Sequence, residues 1–398
     1  MENNIKIFTD NIEEEAKEQI DILLEQEAFK DCKIRIMPDV HKGVGCVIGF
    51  TADLKDKVIP NIVGVDIGCG MRTIELGKIE IDYAKLDKII HDFIPSGFDV
   101  RKERKITYDK MFELKCFREL KDTGRLQRSL GTLGGGNHFI EIDQDDEENK
   151  YLIIHTGSRN LGTQVAGYYQ GLADQLCNYD MHEYYLKKEE IIKTYKAEGK
   201  RKLIQNTLHE LKNTYTISKN RIPKDLAYLE GEYRDAYLHD MQICQEFAVL
   251  NRQIIASIIL EKMNWEIVGE FETIHNYIEI DTNIVRKGAI SAKKDEIVLI
   301  PINMADGCII AKGKGNEEWN ESAPHGAGRV ISRTKAKELL KMEEYIASMK
   351  GIYTTSVNLE TIDESPMSYK KIDDIISKIG DTVEIIKIIK PIYNFKAN

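Results

Sequence analysis

The chain has 398 residues and a formal net charge of −10, from 56 basic and 66 acidic side chains. This length is enough to bury a sizeable hydrophobic core. The acidic balance excludes a protein that holds nucleic acid along a broad basic surface, because that mode needs many phosphate contacts. It leaves open an enzyme that binds a single strand end in a local basic cleft.

The first ten residues are polar and no run of about 18 apolar residues is present, so we expect neither a signal peptide nor a membrane span. The seven cysteines are scattered and include no CxxC pair, a pattern typical of proteins in a reducing compartment. We therefore predict a cytoplasmic protein that contacts no membrane.

The hydrophobic pattern predicts alternating strands and helices. In chain order they are strands at 33–37, 46–51 and 58–65, a helix at 82–93 capped by Asp82, and strands at 139–142 and 152–155. There follow a helical block at 165–262, strands at 273–280 and 297–300, helices at 335–350 and 367–379, and a strand at 383–392. Since no Pro-, Gly- or Ser-rich linker divides the chain, we predict a single large α+β domain over residues 1–398, with the helical block inserted at 165–262.

Several familiar ligand-binding motifs are absent. The chain contains no GxxxxGK[ST] P-loop and no HExxH metalloprotease motif. The acidic run at 143–149 lacks the glycine and the closing glutamate of a calcium loop, so we predict a solvated turn there. The basic loop at 312–316 fits either a phosphate contact or an ordinary surface turn.

The histidines are the most informative residues. Four of the nine lie beside glycine or asparagine, namely His138, His155, His275 and His325. Glycine permits unusual backbone dihedrals and lets a ligand approach the main chain closely. His155 ends a predicted strand before a tight turn, so its imidazole points at whatever occupies that turn. His41 also lies in a turn and is a candidate for substrate contact.

Asp66 and Cys69 lie three residues apart, and glycines flank the cysteine on both sides. Together with two or three histidines they form a set of Asp, Cys and His, which suits a divalent transition metal better than calcium or magnesium. Any one of these residues alone is more often a packed cysteine or a hydrogen-bonded core histidine. The set as a whole favours a metal site, although spacing along the chain does not establish that its members converge.

Seven segments of the chain, in order, resemble the RtcB family of RNA ligases from about residue 37 to the C-terminus. They are MPDVHKG, VDIGCGMR, GTLGGGNHFIE, HTGSRNLG, HNY, SAPHGAGR and the ending KPIYNFKAN. One segment departs from the family: many relatives read Gly-Ser-Met-Gly ahead of the nucleophile, whereas this chain has Asn303-Met-Ala-Asp.

The resemblance implies a role for each matching residue. Cys69 would bridge two Mn²⁺ ions, one also bound by His155 and His275 and the other by Asp66 and His138. His325 would be the catalytic nucleophile that receives GMP. The residues implied in nucleotide binding are Asn137, Glu141, Asn276, Asn303, Met304, Tyr369 and Lys396. Those implied in contacts with phosphate or RNA are Arg159, Arg329 and His41.

The resemblance also implies a reaction, in which an RNA 3′-phosphate or 2′,3′-cyclic phosphate is joined to a 5′-hydroxyl at the expense of GTP. The implied process is RNA splicing or repair, including tRNA processing. The partners would be RNA with broken ends and an archease-like activator. Two alternatives stay open: a dinuclear metal phosphoesterase acting on RNA ends with His325 as acid or base, and a non-catalytic RNA-end binder. The complete ligand set argues against the binder, and a covalent GMP adduct separates ligase from phosphoesterase.

Overall fold

The computed structural model describes residues 4–178, 181–214 and 222–396, which form an α+β fold. The strands are β1 (Ile5–Ile7), β2 (Ile34–His41), β3 (Ile48–Asp53), β4 (Gly70–Gly77), β5 (Phe139–Gln144), β6 (Lys150–Thr156), β7 (Gly269–Ile274), β8 (Asn276–Ile278), β9 (Ile284–Lys287), β10 (Ala289–Ser291), β11 (Ile297–Asn303), β12 (Gly307–Gly313), β13 (Ser322–Pro324) and β14 (Val383–Lys396). The α-helices are α1 (Glu14–Leu24), α2 (Pro60–Val63), α3 (Tyr83–Phe93), α4 (Thr123–Arg128), α5 (Arg159–Asn178), α6 (Met181–Ala197), α7 (Ile204–Thr214), α8 (Gly231–Met263), α9 (Arg333–Leu339), α10 (Met342–Ser348) and α11 (Ile372–Ile379).

The strands form three sheets. The largest has seven antiparallel strands in the order β11-β12-β14-β5-β6-β4-β7. The second has five strands in the order β1-β2-β3-β9-β8, and in the third β10 pairs with β13. Because neighbouring strands of the largest sheet are antiparallel, the starts of β4 and β5 lie at the same edge as the ends of β6 and β7.

Both faces of the seven-stranded sheet are covered. In β6, Leu152 and Ile154 belong to the main core, together with residues of α3, α5 and α8, whereas Tyr151 and Ile153 belong to a separate core on the opposite face. This division follows from the alternation of side chains along a strand. His155 has the same parity as Tyr151 and Ile153, so it lies on the face away from these helices.

The same alternation brings other polar residues to this face. Met71 on β4 is paired with His155 on β6, and Cys69 lies two residues before Met71. The amide of His275 donates to the carbonyl of Cys69 at 3.0 Å, which extends the β4–β7 ladder by one step. Glu141 on β5 lies two residues after the partner of His155. At this edge of the sheet, the thiol of Cys69, the imidazoles of His155 and His275 and the carboxyl of Glu141 thus lie on the face away from the helices.

Helix α8, with 33 residues, lies at the centre of the main core. Among the described residues it is the one helix long and apolar enough to cross a membrane, and 56% of its apolar window is buried inside the protein. It packs against β4, β6, α3 and α5. Its buried Arg252 donates to the carbonyls of Gly68 and Thr156 at 3.0 and 2.7 Å, so the helix also holds the backbone next to Cys69 and His155.

The structure confirms the predicted α+β class and several predicted elements. The helix at 82–93 is α3, and Asp82 Oδ1 accepts a hydrogen bond from the amide of Lys85 at 2.9 Å. Helices α5 to α8 occupy most of the stretch predicted as a helical block. The helix predicted at 335–350 is divided into α9 and α10, because Leu340 adopts an extended conformation between them.

The strand predicted at 273–280 is two strands, β7 and β8, and the helix predicted at 367–379 begins only at Ile372. Two further predictions are wrong. The strand predicted at 58–65 is interrupted by α2, which begins at Pro60, where the fixed φ and missing N–H of proline suit the first turn of a helix. The acidic run at 143–149 makes a turn between β5 and β6 but is not solvated throughout, since Asp143 and Asp145 are buried. Asp145 accepts hydrogen bonds from the amides of Glu147 and Asn149 and thereby shapes the turn.

Replacing Asn251 with Ala should lower the free energy of unfolding by roughly 3 kcal/mol, because buried backbone groups would lose their partners. Asn251 is fully buried on α8 and bonds the amides of Gly131 and Thr132 at 2.7 and 3.1 Å and the carbonyl of Thr132 at 3.0 Å. Urea-induced unfolding measures the change. The exposed Gln253 on the same helix is the control, and equal destabilisation by Gln253→Ala would contradict this role for Asn251.

Candidate active site

Residues from four strand ends meet at one edge of the seven-stranded sheet. Cys69 immediately precedes β4, His138 precedes β5, His155 lies at the end of β6 and His275 follows β7. The turn after β6 reaches this edge through Gly157, where a Cβ atom would lie 2.1 Å from Asp66 Oδ1. Only glycine leaves room there for the carboxylate, so the tight turn predicted after His155 has a specific steric reason.

The polar atoms of this cluster lie close together. Cys69 Sγ is 3.3 Å from Nε2 of His155 and 3.5 Å from Nε2 of His138. His155 Nε2 is 3.4 Å from His275 Nε2, and His138 Nε2 is 2.9 Å from Asp66 Oδ2. These residues form two triplets, Cys69–His155–His275 and Asp66–Cys69–His138, which have the thiol in common. The structure therefore brings together all five predicted metal ligands.

Burial and hydrogen bonding set the protonation of the cluster. Burial lowers the pKa of His155 and of His275 well below the usual range, so both imidazoles are neutral. Burial disfavours ionisation of Asp66, but the hydrogen bond and charge interaction with His138, together with Cys69 and Arg159, outweigh burial and lower the pKa of this carboxyl to about 2. The imidazoles of His155 and His275 and the carboxylate of Asp66 are therefore in the forms that bind metals, whereas burial raises the pKa of the Cys69 thiol, which would lose its proton when a metal binds.

The orientation of the imidazoles fits a bound cation. His155 Nδ1 lies 3.1 Å from the carbonyl of Asn137, so it carries the proton and leaves a lone pair on Nε2. That lone pair faces the sulfur of Cys69 and Nε2 of His275. His275 Nδ1 is buried without a hydrogen-bond partner among the described residues. The nitrogen atoms of the imidazoles, the sulfur of Cys69 and the carboxylate of Asp66 thus converge on one region, and this set of Cys, His and Asp donors suits a divalent transition metal.

His325 lies beside this cluster, with its ring centroid 4.9 Å from that of His275. His325 follows β13, which packs against β2. The carboxylate of Asp39, on β2, accepts two hydrogen bonds from His325, one from ring Nδ1 at 2.6 Å and one from the backbone amide at 3.2 Å. Gly328 closes the loop with a φ of +76°, and a Cβ there would lie 2.3 Å from the carbonyl oxygen of Asp39. The buried carboxylate thus holds the proton on Nδ1 and leaves Nε2 of His325 as the free lone pair.

A cleft opens from His155, His275 and His325 toward the C-terminal strand. The predicted nucleotide and phosphate residues that line it are His41, Asn137, Glu141, Asn303, Met304, Arg329, Tyr369 and Lys396. His41 Nδ1 donates to the carbonyl of Asp39 at 2.9 Å, and burial lowers the pKa of His41 to about 4. Its ring is therefore neutral in the cleft wall.

The far end of the cleft is a network of buried charges around Glu364. Its carboxylate pairs with Lys396, accepts from the Tyr369 hydroxyl at 2.8 Å, and lies 3.4 Å from Arg329 Nη1. Burial opposes ionisation of Glu364, but Lys396 and Arg333 outweigh it and lower the pKa of this carboxyl to about 2. Ionised acids and bases are thus both available to a polar ligand at this end.

A pair of buried carboxyls forms one wall of the cleft. Asn394 donates to Glu141 Oε2 at 2.5 Å, and burial raises the pKa of Glu141 to about 7. Behind it, both carboxyl oxygens of Asp143 are buried without a hydrogen-bond donor among the described residues. Burial and the neighbouring Glu141 raise the pKa of Asp143 well above its usual range, so it is neutral. Burial likewise raises the pKa of Cys308, which makes this third group of possible ligands a protonated one.

Two predicted site residues, Asn276 and Arg159, do not line the cleft, and a third, Met304, lines it but is mostly buried. Asn276 does not line the cleft, because its side chain is held elsewhere. Its Nδ2 donates to the carbonyl of Asp66 at 3.2 Å, and its Oδ1 accepts from the backbone amide of Gly288 at 3.0 Å. Arg159 lies behind His138, with Nη1 3.3 Å from His138 Nδ1, and faces a second cavity. Met304 is largely buried, with its sulfur 3.2 Å from the hydroxyl of Tyr345.

The sequence patterns missed Asp39, the buried carboxylate that bonds to His325, and several residues of the cleft, namely Phe139, Arg333, Glu364 and Asn394. Asp39, Phe139 and Asn394 lie inside segments that resemble the family, but no local signal distinguishes their side chains. Glu364 and Arg333 lie outside those segments. Their importance comes from contacts with residues distant in the chain.

Comparisons with known proteins all point to one family. The family model described as "tRNA-splicing ligase RtcB" matches residues 27–122 and 115–397. The chain is similar to the RNA-splicing ligase RtcB of Escherichia coli K12, with 31% identity over 431 residues that cover 98% of this chain and 96% of that protein. It is also similar to the tRNA-splicing ligase RtcB of Nanoarchaeum equitans, with 26% identity over 89% of this chain and 85% of that protein.

Replacing Cys69 with Ala should remove bound divalent transition metal, because both ligand triplets lose their shared thiol. Metal content after dialysis, measured by plasma mass spectrometry, tests this expectation. Cys244→Ala is the matched control, since Cys244 is equally buried but packs in the core of α8. Unchanged metal content in Cys69→Ala would show that the cluster does not bind the metal.

Proposed function

The chain belongs to the RtcB family, and on this premise we propose that it is an RNA ligase dependent on GTP and Mn²⁺. The proposed reaction joins an RNA 3′-phosphate or 2′,3′-cyclic phosphate to a 5′-hydroxyl through GMP bound to His325. The substrates are RNA molecules with broken ends, in RNA splicing or repair. The free cysteines of the described chain fit the reducing cytoplasm, where we place the enzyme.

The observation that carries this proposal is the pairing of His325 with Asp39 next to the metal cluster. Buried Asp39 holds the proton on Nδ1, so Nε2 has a free lone pair on the side of the cleft. A neutral imidazole in this state is a competent nucleophile toward phosphorus. In the proposed first step Nε2 bonds to the α-phosphorus of GTP, and the bond to the bridging oxygen breaks as pyrophosphate leaves.

The residues present fit two manganese ions. Cys69, His155 and His275 would hold one, and Asp66, Cys69 and His138 the other. Bound manganese would neutralise negative charge on the phosphates and on the leaving pyrophosphate. In the second step an oxygen of the RNA 3′-phosphate attacks the phosphorus of GMP, and the phosphorus–nitrogen bond to His325 breaks.

The cleft wall fits guanine better than adenine. Guanine offers N–H donors at N1 and N2, and Glu141 is a carboxyl residue that lines the cleft together with Asn394 and Lys396. The Lys396 ammonium can donate a hydrogen bond to the guanine carbonyl oxygen. Tyr369 offers an aromatic face, with Arg329 within 5.2 Å of its ring centroid. Arg329 and His41 line the same cleft and would contact phosphate.

Incubating the protein with GTP and Mn²⁺ should add the mass of one GMP, and His325→Ala should abolish that addition. Intact-protein mass spectrometry measures the adduct. His209→Ala is the matched control, because His209 is an exposed histidine of α7 outside the site and should leave the adduct unchanged. A metal-loaded protein that forms no adduct would contradict the ligase and favour the dinuclear phosphoesterase, which has no need of one.

The affinity for GTP should increase by about tenfold between pH 6 and pH 8 through Glu141, because its pKa of about 7 makes it mostly neutral at the lower pH and ionised at the higher. Only the ionised carboxylate accepts from both guanine donors. Calorimetry of GTP binding to the wild type and to Glu141→Gln isolates the contribution of Glu141. Protonation of the GTP phosphates changes with pH in the same way in both experiments. A parallel pH dependence in the two proteins would show that Glu141 does not bind the base.

A further inference from the structure

The last step of the proposed reaction places a constraint on where the second RNA end enters. The 5′-hydroxyl oxygen bonds to the phosphorus of the activated 3′ end, the bond from this phosphorus to GMP breaks, and GMP leaves with the electron pair while the hydroxyl proton is lost to water. Attacking and leaving oxygens lie roughly in line in such displacements. Because GMP lies in the cleft of His325, the 5′ end must approach from the opposite side of the cluster.

A second cavity lies on that opposite side. Its walls include Asp66 of the cluster and Gly135 and Gly136, whereas the next residue, Asn137, lines the nucleotide cleft. The glycine-rich loop therefore separates the two cavities, and the metal cluster lies between them. Gly136 has a φ of +75°, and a Cβ atom on this residue would meet nothing within 4 Å, so the wall of the second cavity is open at this point.

Two arginines line this cavity together with Asp66 and Asp99, and neither arginine forms a salt bridge within the described residues. Arg159 makes three long hydrogen bonds of 3.3 to 3.4 Å, to His138, Thr132 and Gly97, and none of its contacts is a salt bridge. Arg125 donates to the carbonyl of Phe98. In a protein of net charge −10, guanidinium groups without a salt bridge beside a reaction centre indicate a site for an anion such as phosphate.

Phe98 stands at the rim of the same cavity and is 95% exposed. Its backbone is held on both sides, because the carbonyl of Phe98 accepts from Arg125 and the amide of Gly97 donates to the carbonyl of Gly134 at 3.0 Å. Because the Phe98 ring is almost fully exposed, it does not stabilise the fold by packing in the hydrophobic core. It is suited to stacking against a base, a contact that every nucleobase can make.

We propose that this second cavity is the subsite for the 5′-hydroxyl end of the RNA, whose terminal base stacks on Phe98 and whose first phosphate binds Arg125 and Arg159. The proposal rests on the proposed ligase function. It assigns the two RNA ends to different sides of the cluster and makes Phe98 a determinant of acceptor binding.

The test separates the joining step from the earlier ones. An RNA activated with GMP at its 3′ end is joined to increasing concentrations of a 5′-hydroxyl oligonucleotide. Phe98→Ala should raise the half-saturating concentration by roughly 5-fold to 150-fold, the range expected for one stacked base. Phe98→Trp should retain tight binding. GMP addition to the enzyme and activation of the 3′ end should be unchanged in both variants.

An oligonucleotide with an abasic 5′-terminal residue supplies the second arm. It should weaken binding to the wild type and have no further effect in Phe98→Ala, because the same contact is removed. Phe112→Ala, at an exposed phenylalanine that does not line the cavity, is the control and should change nothing. Equal binding by Phe98→Ala and wild type, or loss of 3′-end activation instead, would overturn the assignment. A wild type that never forms the GMP adduct would count against the ligase function itself.

Discussion

The alternation of side chains on antiparallel strands is the constraint on which the whole site depends. Four strand ends meet at one edge, and residues of one parity face the helical core while those of the other face the cluster. A shift of one residue in β6 would turn His155 into the helical core and bring Ile154 to the cluster. Helix α8 stabilises this register, because Asn251 and Arg252 bond the loops that carry the ligands.

Buried ionisable groups around the cleft are costly unless each is paired or neutral. The molecule uses both solutions. Asp39 and Glu364 are paired with His325 and Lys396, whereas Asp143 is neutral because burial and Glu141 raise its pKa. Because hydrophobic residues of similar size would often be at least as stable, this concentration of charge is not explained by folding alone.

The cluster is reached from two cavities, and this distinguishes the kinds of reaction that fit it. A phosphoesterase brings one phosphate and a water to its metals, and one cleft is sufficient. A ligase must bring two strand ends and a nucleotide to one phosphorus. The cleft at His325 is separated by residues 134–137 from the cavity at Phe98, and two separate cavities match the proposed ligase. The steric detail agrees, since the Arg159 guanidinium occupies the space that a side chain at Gly134 would need.

The sequence by itself determined what depends on neighbours along the chain: α3 with its Asp82 cap, most strands, the α+β class, and the Asp, Cys and His residues beside glycine. It did not distinguish α2 from a strand, because the apolar run at 58–65 fits both and Pro60 decides between them only in context. Tertiary structure alone decided the order of the strands, the carboxylate that orients His325 and the position of Phe98. Asp39 and His325 are 286 residues apart, and local patterns carry no information about a pairing that arises only when β13 packs against β2.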